Sequence, residues 1–171
     1  MRLWGITCFA ALSLAALSQE KIPEAAISRF PALPDEIRQD LRDRGCTVPQ
    51  PHTGHTGPTE NVISGHFIDP KQIDWAVLCD ARSTNRSMIL VYWAGEPSDP
   101  TILGKELLVG GPCWRTIYTV GKPYIMEHYR RLGGPKPPVI DHEGIDVGIC
   151  DKASTISYFY RDRWLTLTGA D

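Results

Sequence analysis

Three sets of side chains in this sequence are of the types that carry chemistry. The densest is Asp141-His142-Glu143-Gly144 with Asp146 two positions beyond. An imidazole flanked by carboxylates has the makings of a general base. Ser154 or Ser157 would be the nucleophile it serves, and His142 with Asp141 or Glu143 would then make a small hydrolase. Neither serine sits in a Gly-x-Ser-x-Gly elbow, however. A turn that follows the stiff segment Pro135 to Pro138 also selects Asp, His and Gly on conformational grounds alone. The second set is His52 and His55, with His66 further along. Imidazoles three positions apart can hold a transition metal. Here they lie in a Pro- and Gly-rich loop, Pro49 to Thr59, with no third fixed ligand, and such a pattern is more often an ordinary solvated loop. No metal or cofactor is therefore expected, and no catalytic set is complete.

The third set is the cysteines. Of the 5 in the chain, Cys8 lies in an N-terminal apolar run, which leaves Cys46, Cys79, Cys113 and Cys150. None of them forms a C-x-x-C pair, which argues against a zinc knuckle or a thioredoxin-type motif. An even number in an exported chain points to two disulfides. Three pairings are possible. Sequential elements are usually spatial neighbours, which favours Cys46–Cys79 and Cys113–Cys150.

Export is read from the first eighteen positions. Arg2 is followed by Leu3 to Leu17 without a charge, and Ala16-Leu17-Ser18 offers the small-x-small exit of a cleavable secretory signal. The run falls short of the roughly 20 apolar residues of a spanning helix. The expected organisation is a signal over 1–18, a lead-in over 19–33 and one disulfide-braced domain over 34–171, secreted or periplasmic, with no membrane span after cleavage. A formal net charge of -2 with basic residues scattered among acids excludes the strongly basic surface of a nucleic-acid binder.

The elements that must hold these groups are short. With 14 prolines and 15 glycines, a helical bundle is ruled out in favour of many turns. A first helix is expected over about 34–44, with Pro34 at its start, Asp35 and Glu36 at its positive end, Arg42 and Arg44 at its negative end and Gly45 as its cap. A second is expected over about 123–132, introduced by Pro123 and ended by Gly133-Gly134. Candidate strands are 61–68, 74–79, 87–93, 105–109, 115–120, 145–150, 155–160 and 164–168. The runs 75–79 and 88–93 are apolar on both faces, so they read as central strands covered on each side and joined as a hairpin. The fold class is α+β, predominantly antiparallel β. Among the aromatics, Trp75 and Trp93 belong to these apolar runs and are assigned to the core. Trp114 and Trp164 are the candidates for an exposed binding surface.

The residues Gly65-His66-Phe67, then Asp69, then Asp74-Trp75-Ala76-Val77-Leu78 resemble a repeat of the FG-GAP or VCBS kind, as in integrin-type β-propellers. The resemblance covers 65–78. In such repeats the acidic loop usually holds calcium. Here Ile68 to Asp74 carries two carboxylates and a lysine, too few for an ion that takes 6–8 oxygens, and one copy does not make a propeller. More widely, the segments Gly45-Cys46-Thr47-Val48-Pro49-Gln50, Asp74 to Cys79 and Gly169-Ala170-Asp171 resemble uncharacterised exported bacterial proteins, which implies export but no activity. The function expected is a non-enzymatic binding or interaction module of the cell envelope, with an unknown protein or small ligand as partner. The alternatives are the small hydrolase above and a structural envelope component.

Overall fold

A computed structural model describes residues 24–50, 61–96, 99–109, 115–149 and 152–170. Two antiparallel sheets stack face to face, and each has a helix on its outer side. The first sheet comprises β1 (Glu24–Ala25), β2 (Cys46–Pro49), β3 (Val62–Gly65), β4 (Asp74–Ala81), β5 (Arg86–Tyr92) and β6 (Thr101–Leu108). The second runs β7 (Arg115–Val120), β8 (Gly144–Ile149), β9 (Ala153–Phe159) and β10 (Trp164–Thr168). Helix α1 (Asp35–Asp43) covers the first sheet, and α2 (Lys122–Leu132) covers the second. The expected α+β, mainly antiparallel architecture is the one observed.

The double-sided apolarity of the central strands follows from this layering. Val77, Cys79, Leu90 and Tyr92 face α1, where they meet Ile37, Leu41, Phe30 and Leu33. Ala76, Leu78, Ile89 and Val91 face the other way and meet Ile117, Ile145 and Val147 of the second sheet. Burying such side chains is worth about 1.5–3 kcal/mol each, so β4 and β5 anchor two cores at once. Helix α1 begins at Pro34 and is followed by Gly45 in the left-handed region at φ 67. Only its Ile37–Leu41 stripe is buried. Asp40 adds a polar tie, accepting from the Tyr92 hydroxyl at 2.8 Å and from Arg44 Nε at 2.7 Å. Burial, and then this carboxylate, push the Tyr92 phenol well above its ordinary pKa.

Several boundaries differ from expectation. The lead-in over 19–33 is, from Glu24 onward, part of the packed first layer: Ala25, Ile27, Phe30 and Leu33 are all buried. The strand expected over 61–68 is confined to Val62–Gly65. Asn61 sits at φ 73, and beyond Gly65 the chain wraps around Asp74. The strand expected over 105–109 starts at Thr101 and bends at Gly104 (φ 70), where pairing with β5 slips register. Trp93, assigned to the core, is 39% exposed. It lies in a 3-10 turn after β5 and packs edge-on against Phe159.

Cys46 and Cys79 are joined, linking the start of β2 to the adjacent strand β4. Cys113 and Cys150, like His52, His55 and Trp114, lie outside the described residues. The Cys46–Cys79 link closes a separation of 33 residues, which in the chain-entropy account contributes about 3–4 kcal/mol. Replacing both by serine should lower the unfolding free energy by about that amount in denaturant titration. An unchanged midpoint would remove the link from the fold's energetics.

The two sheets are tied by Asn61. Its side chain donates to Pro49 O at 2.7 Å and to Arg115 O at 3.3 Å, and accepts from Ile117 N at 2.9 Å. Its own carbonyl accepts from Leu78 N. Arg115 crosses between the sheets as well, donating to Ser87 Oγ at 2.8 Å; burial lowers its pKa and the nearby charge of Asp80 opposes that. Asn61→Gly keeps the positive φ and deletes only the amide, stranding buried backbone groups at about 1–3 kcal/mol apiece. Chemical denaturation should show a loss of roughly 3 kcal/mol or more.

Candidate functional site

Along β8 the sequence Gly144-Ile145-Asp146-Val147-Gly148 alternates across the second sheet. Ile145 and Val147 enter the inter-sheet core, so Gly144, Asp146 and Gly148 point to the side covered by α2. The helix roofs only part of that side. Beside Tyr124, at its first turn, a cavity of about 490 Å³ is left open. Its walls include Tyr118 and Val120 of β7, Ala153 and Ser154 of β9, and Ala170 after β10, and Lys152 stands at its rim. Gly148 also lines it, and a Cβ there would come within 2.7 Å of Thr116 Oγ1 on the neighbouring strand.

Asp146 forms the floor. The residue is 5% exposed. One carboxylate oxygen, Oδ2, accepts from the Tyr124 hydroxyl at 3.0 Å. The other, Oδ1, is buried and has no hydrogen-bond partner among the described residues. Behind Tyr124, Ala170 N donates to Ser154 Oγ at 2.7 Å. Burial comes first in raising the Tyr124 pKa to about 12, with the charge of Asp146 and the hydrogen bond to it adding; Ser154 acts in the opposite sense.

The His142 group is assembled differently. The imidazole stacks on the Tyr158 ring, with centroids 4.4 Å apart, and its side chain is 6% exposed. Nδ1 lies 2.7 Å from Asp141 Oδ1 and 3.1 Å from the Tyr158 hydroxyl, and that hydroxyl donates to the same Asp141 oxygen at 3.0 Å. These two contacts hold the exposed Asp141 carboxyl below its ordinary pKa. Nε2 is buried and has no partner among the described residues. Glu143 turns away from the imidazole: its Oε2 accepts from His66 N at 2.8 Å, and its own N–H donates to His66 O at 2.9 Å. Ser154 is four residues from Tyr158 along β9, roughly 13 Å, and belongs to the Asp146 cavity. Ser157 is paired with Ile145 and faces the inter-sheet side. The structure thus joins His142 to Asp141 and Tyr158, and separates both from Asp146 and the serines.

The remaining candidates are structural in placement. His66 Nδ1 lies 2.6 Å from Gln72 O; a carbonyl only accepts, so Nδ1 carries the proton. Asp74 receives Phe67 N, Ile68 N and Ala94 N at 2.9 Å each and Gln72 Nε2 at 2.6 Å. Gly65 is required there because a Cβ would come within 2.7 Å of the Phe67 ring. Trp164 is half-buried against the inter-sheet core, and Phe159 stacks edge-on to it.

Comparison of the chain with protein-family models, with curated proteins and with solved structures finds no match.

The Asp146 cavity was missed in sequence because the aspartate was grouped with His142. The signal was its position between two glycines on one face of an alternating strand. The Tyr124–Asp146 contact has a spectroscopic consequence. The parent-minus-Tyr124→Phe difference in phenolate absorbance should titrate near pH 12, and Asp146→Asn should move it toward the ordinary value. Because the folded-state pKa is the higher one, this group's contribution to stability is complete below about pH 10 and is lost as pH rises through about 12.

Proposed function

We propose that the chain is a non-enzymatic binding module that takes a small ligand into the Asp146 cavity. The observation that carries this reading is an open cavity with mainly apolar walls whose lining includes the almost wholly buried Asp146 and the Tyr124 hydroxyl that donates to it. A concave apolar site of a few hundred Å³ with a few convergent polar groups is the usual form of a small-molecule site. Export to an oxidising compartment is part of the same proposal. The Cys46–Cys79 link supports it, and no helix among the described residues is long and apolar enough to cross a membrane. The hydrolase alternative has the Asp141–His142 contact in its favour. Among the described residues no serine or cysteine hydrogen-bonds the imidazole to complete it.

The test is a two-dimensional amide NMR titration of the disulfide-intact protein with a matched set of aromatic probes: 2-phenylethylamine, 2-phenylethanol and 3-phenylpropionate. At least one probe should shift the amides of Val120, Gly148 and Ser154 in a saturable manner. Ala153→Leu, which narrows the cavity, should weaken that response. If all three probes leave those amides unmoved, the binding reading fails.

A further inference from the structure

The polar atoms around the cavity are engaged within the protein or out of a ligand's reach. Asp146 Oδ1 is buried and sealed off from the cavity, and Oδ2 takes the one proton of the Tyr124 hydroxyl at 3.0 Å. Ser154 Oγ accepts from Ala170 N at 2.7 Å, and the Thr119 hydroxyl donates to Ser64 O at 3.2 Å. Tyr118, 42% exposed, also has a partner of its own. Lys152, the one cationic side chain on the described rim, is exposed, so its ammonium stays hydrated and screened by salt. What is left to meet a ligand is mostly carbon: the rings of Tyr118 and Tyr124 and the side chains of Val120, Ala153 and Ala170. A charged group drawn into such a space gives up its water and gains no partner, whereas apolar area gains with every contact.

Resting on the binding reading above, we infer that the cavity recognises the hydrocarbon body of its ligand and not its polar head. The ligand class is an amphipathic small molecule with an aromatic or other apolar body. It enters body first, and its head group stays in water at the open mouth. Affinity then follows the apolar area buried, and the charge of the head matters little. An anionic head beside Lys152 gains only what an exposed ion pair supplies, up to about fivefold in affinity.

The same NMR titration, with 2-(1-naphthyl)ethanol added, separates this inference from the reading beneath it. The three phenyl probes should bind within about fivefold of one another, the limit set by an exposed ion pair. The naphthyl alcohol should bind at least about fivefold tighter than 2-phenylethanol, because its second ring buries more apolar area. Tyr118→Ser, at an exposed wall, should weaken all four probes by a similar factor, and Tyr118→Phe should restore them. A wider spread among the phenyl probes would show that a polar group of the site recognises the head. That would overturn the inference and leave the cavity a binding site. So would a naphthyl alcohol that binds no tighter than its phenyl counterpart, or a Tyr118→Ser loss confined to one probe. No response to any of the four would instead end the binding reading on which the inference rests.

Discussion

The contact on which this architecture depends is the side-chain amide of Asn61. Two stacked sheets that share no long strand need something to fix how one sits on the other, and apolar packing alone tolerates sliding. Asn61 supplies direction. Its amide occupies the place of a short strand segment, pairing with Arg115 O and Ile117 N of β7 and donating to Pro49 O at the end of β2, while its backbone carbonyl accepts from Leu78 N of β4. Asparagine suits the position doubly. It has a donor and an acceptor on one planar group, and it tolerates the left-handed backbone at φ 73 better than other side chains of its size. Every backbone group it satisfies is one that burial would otherwise penalise. Thr119 Oγ1 to Ser64 O continues the same seam between β3 and β7.

Layering then dictates where a site is available. The first sheet is closed by α1, by the segment from Glu24 to Leu33 and by the Cys46–Cys79 link, so its outer face is a filled core. The inter-sheet space is filled by branched aliphatic residues and Phe67. The second sheet has only α2, whose contacts lean toward β10 and whose own buried residues are Ile125 and His128. The part of that sheet beside the start of α2 carries Gly148, Ala153, Ser154 and Asp146 next to Tyr118 and Val120, and it is there that the cavity opens. A short helix on a four-stranded sheet leaves surface over, and small residues keep that surface concave.

What was legible in the sequence was what local rules encode. Pro34 and Gly45 bracket α1; Pro123 and Gly133 bracket α2; and the two-faced apolar runs marked β4 and β5 as a covered hairpin. The expectation that Cys46 ties the end of the first helix to a central strand also matches the structure. Illegible were the contacts between a side chain and a distant backbone. Asn61 to Arg115 spans 54 positions and leaves no periodic trace. Trp93 misled because the apolar run continues past Tyr92, while the strand itself stops there and the backbone turns through Ala94 at φ 50. At the His142 cluster the imidazole and Asp141 do meet, but the tyrosine that completes their contact comes from the following hairpin. Spacing along the chain gave no way to name it.

Two buried aspartates show how structure and site diverge within one fold. Asp74 and Asp146 both lie on strands, both are almost wholly removed from solvent, and neither has a cation beside it in the described ion pairs. Asp74 is saturated. It receives four donors, three of them backbone amides, and the chain from Phe67 to Gln72 folds around it, with Ala94 closing from the far end of β5. A carboxylate so surrounded has its charge spread into fixed dipoles and has nothing left to offer a ligand. Asp146 receives one donor from the protein, Tyr124, and its second oxygen is buried with no hydrogen-bond partner among the described residues, although the residue lines the cavity. The chain is therefore able to satisfy a buried carboxylate completely and does so at Asp74. At Asp146 the same fold leaves one buried carboxylate oxygen without a partner among the described residues, so the two strands carry the same group at very different degrees of satisfaction.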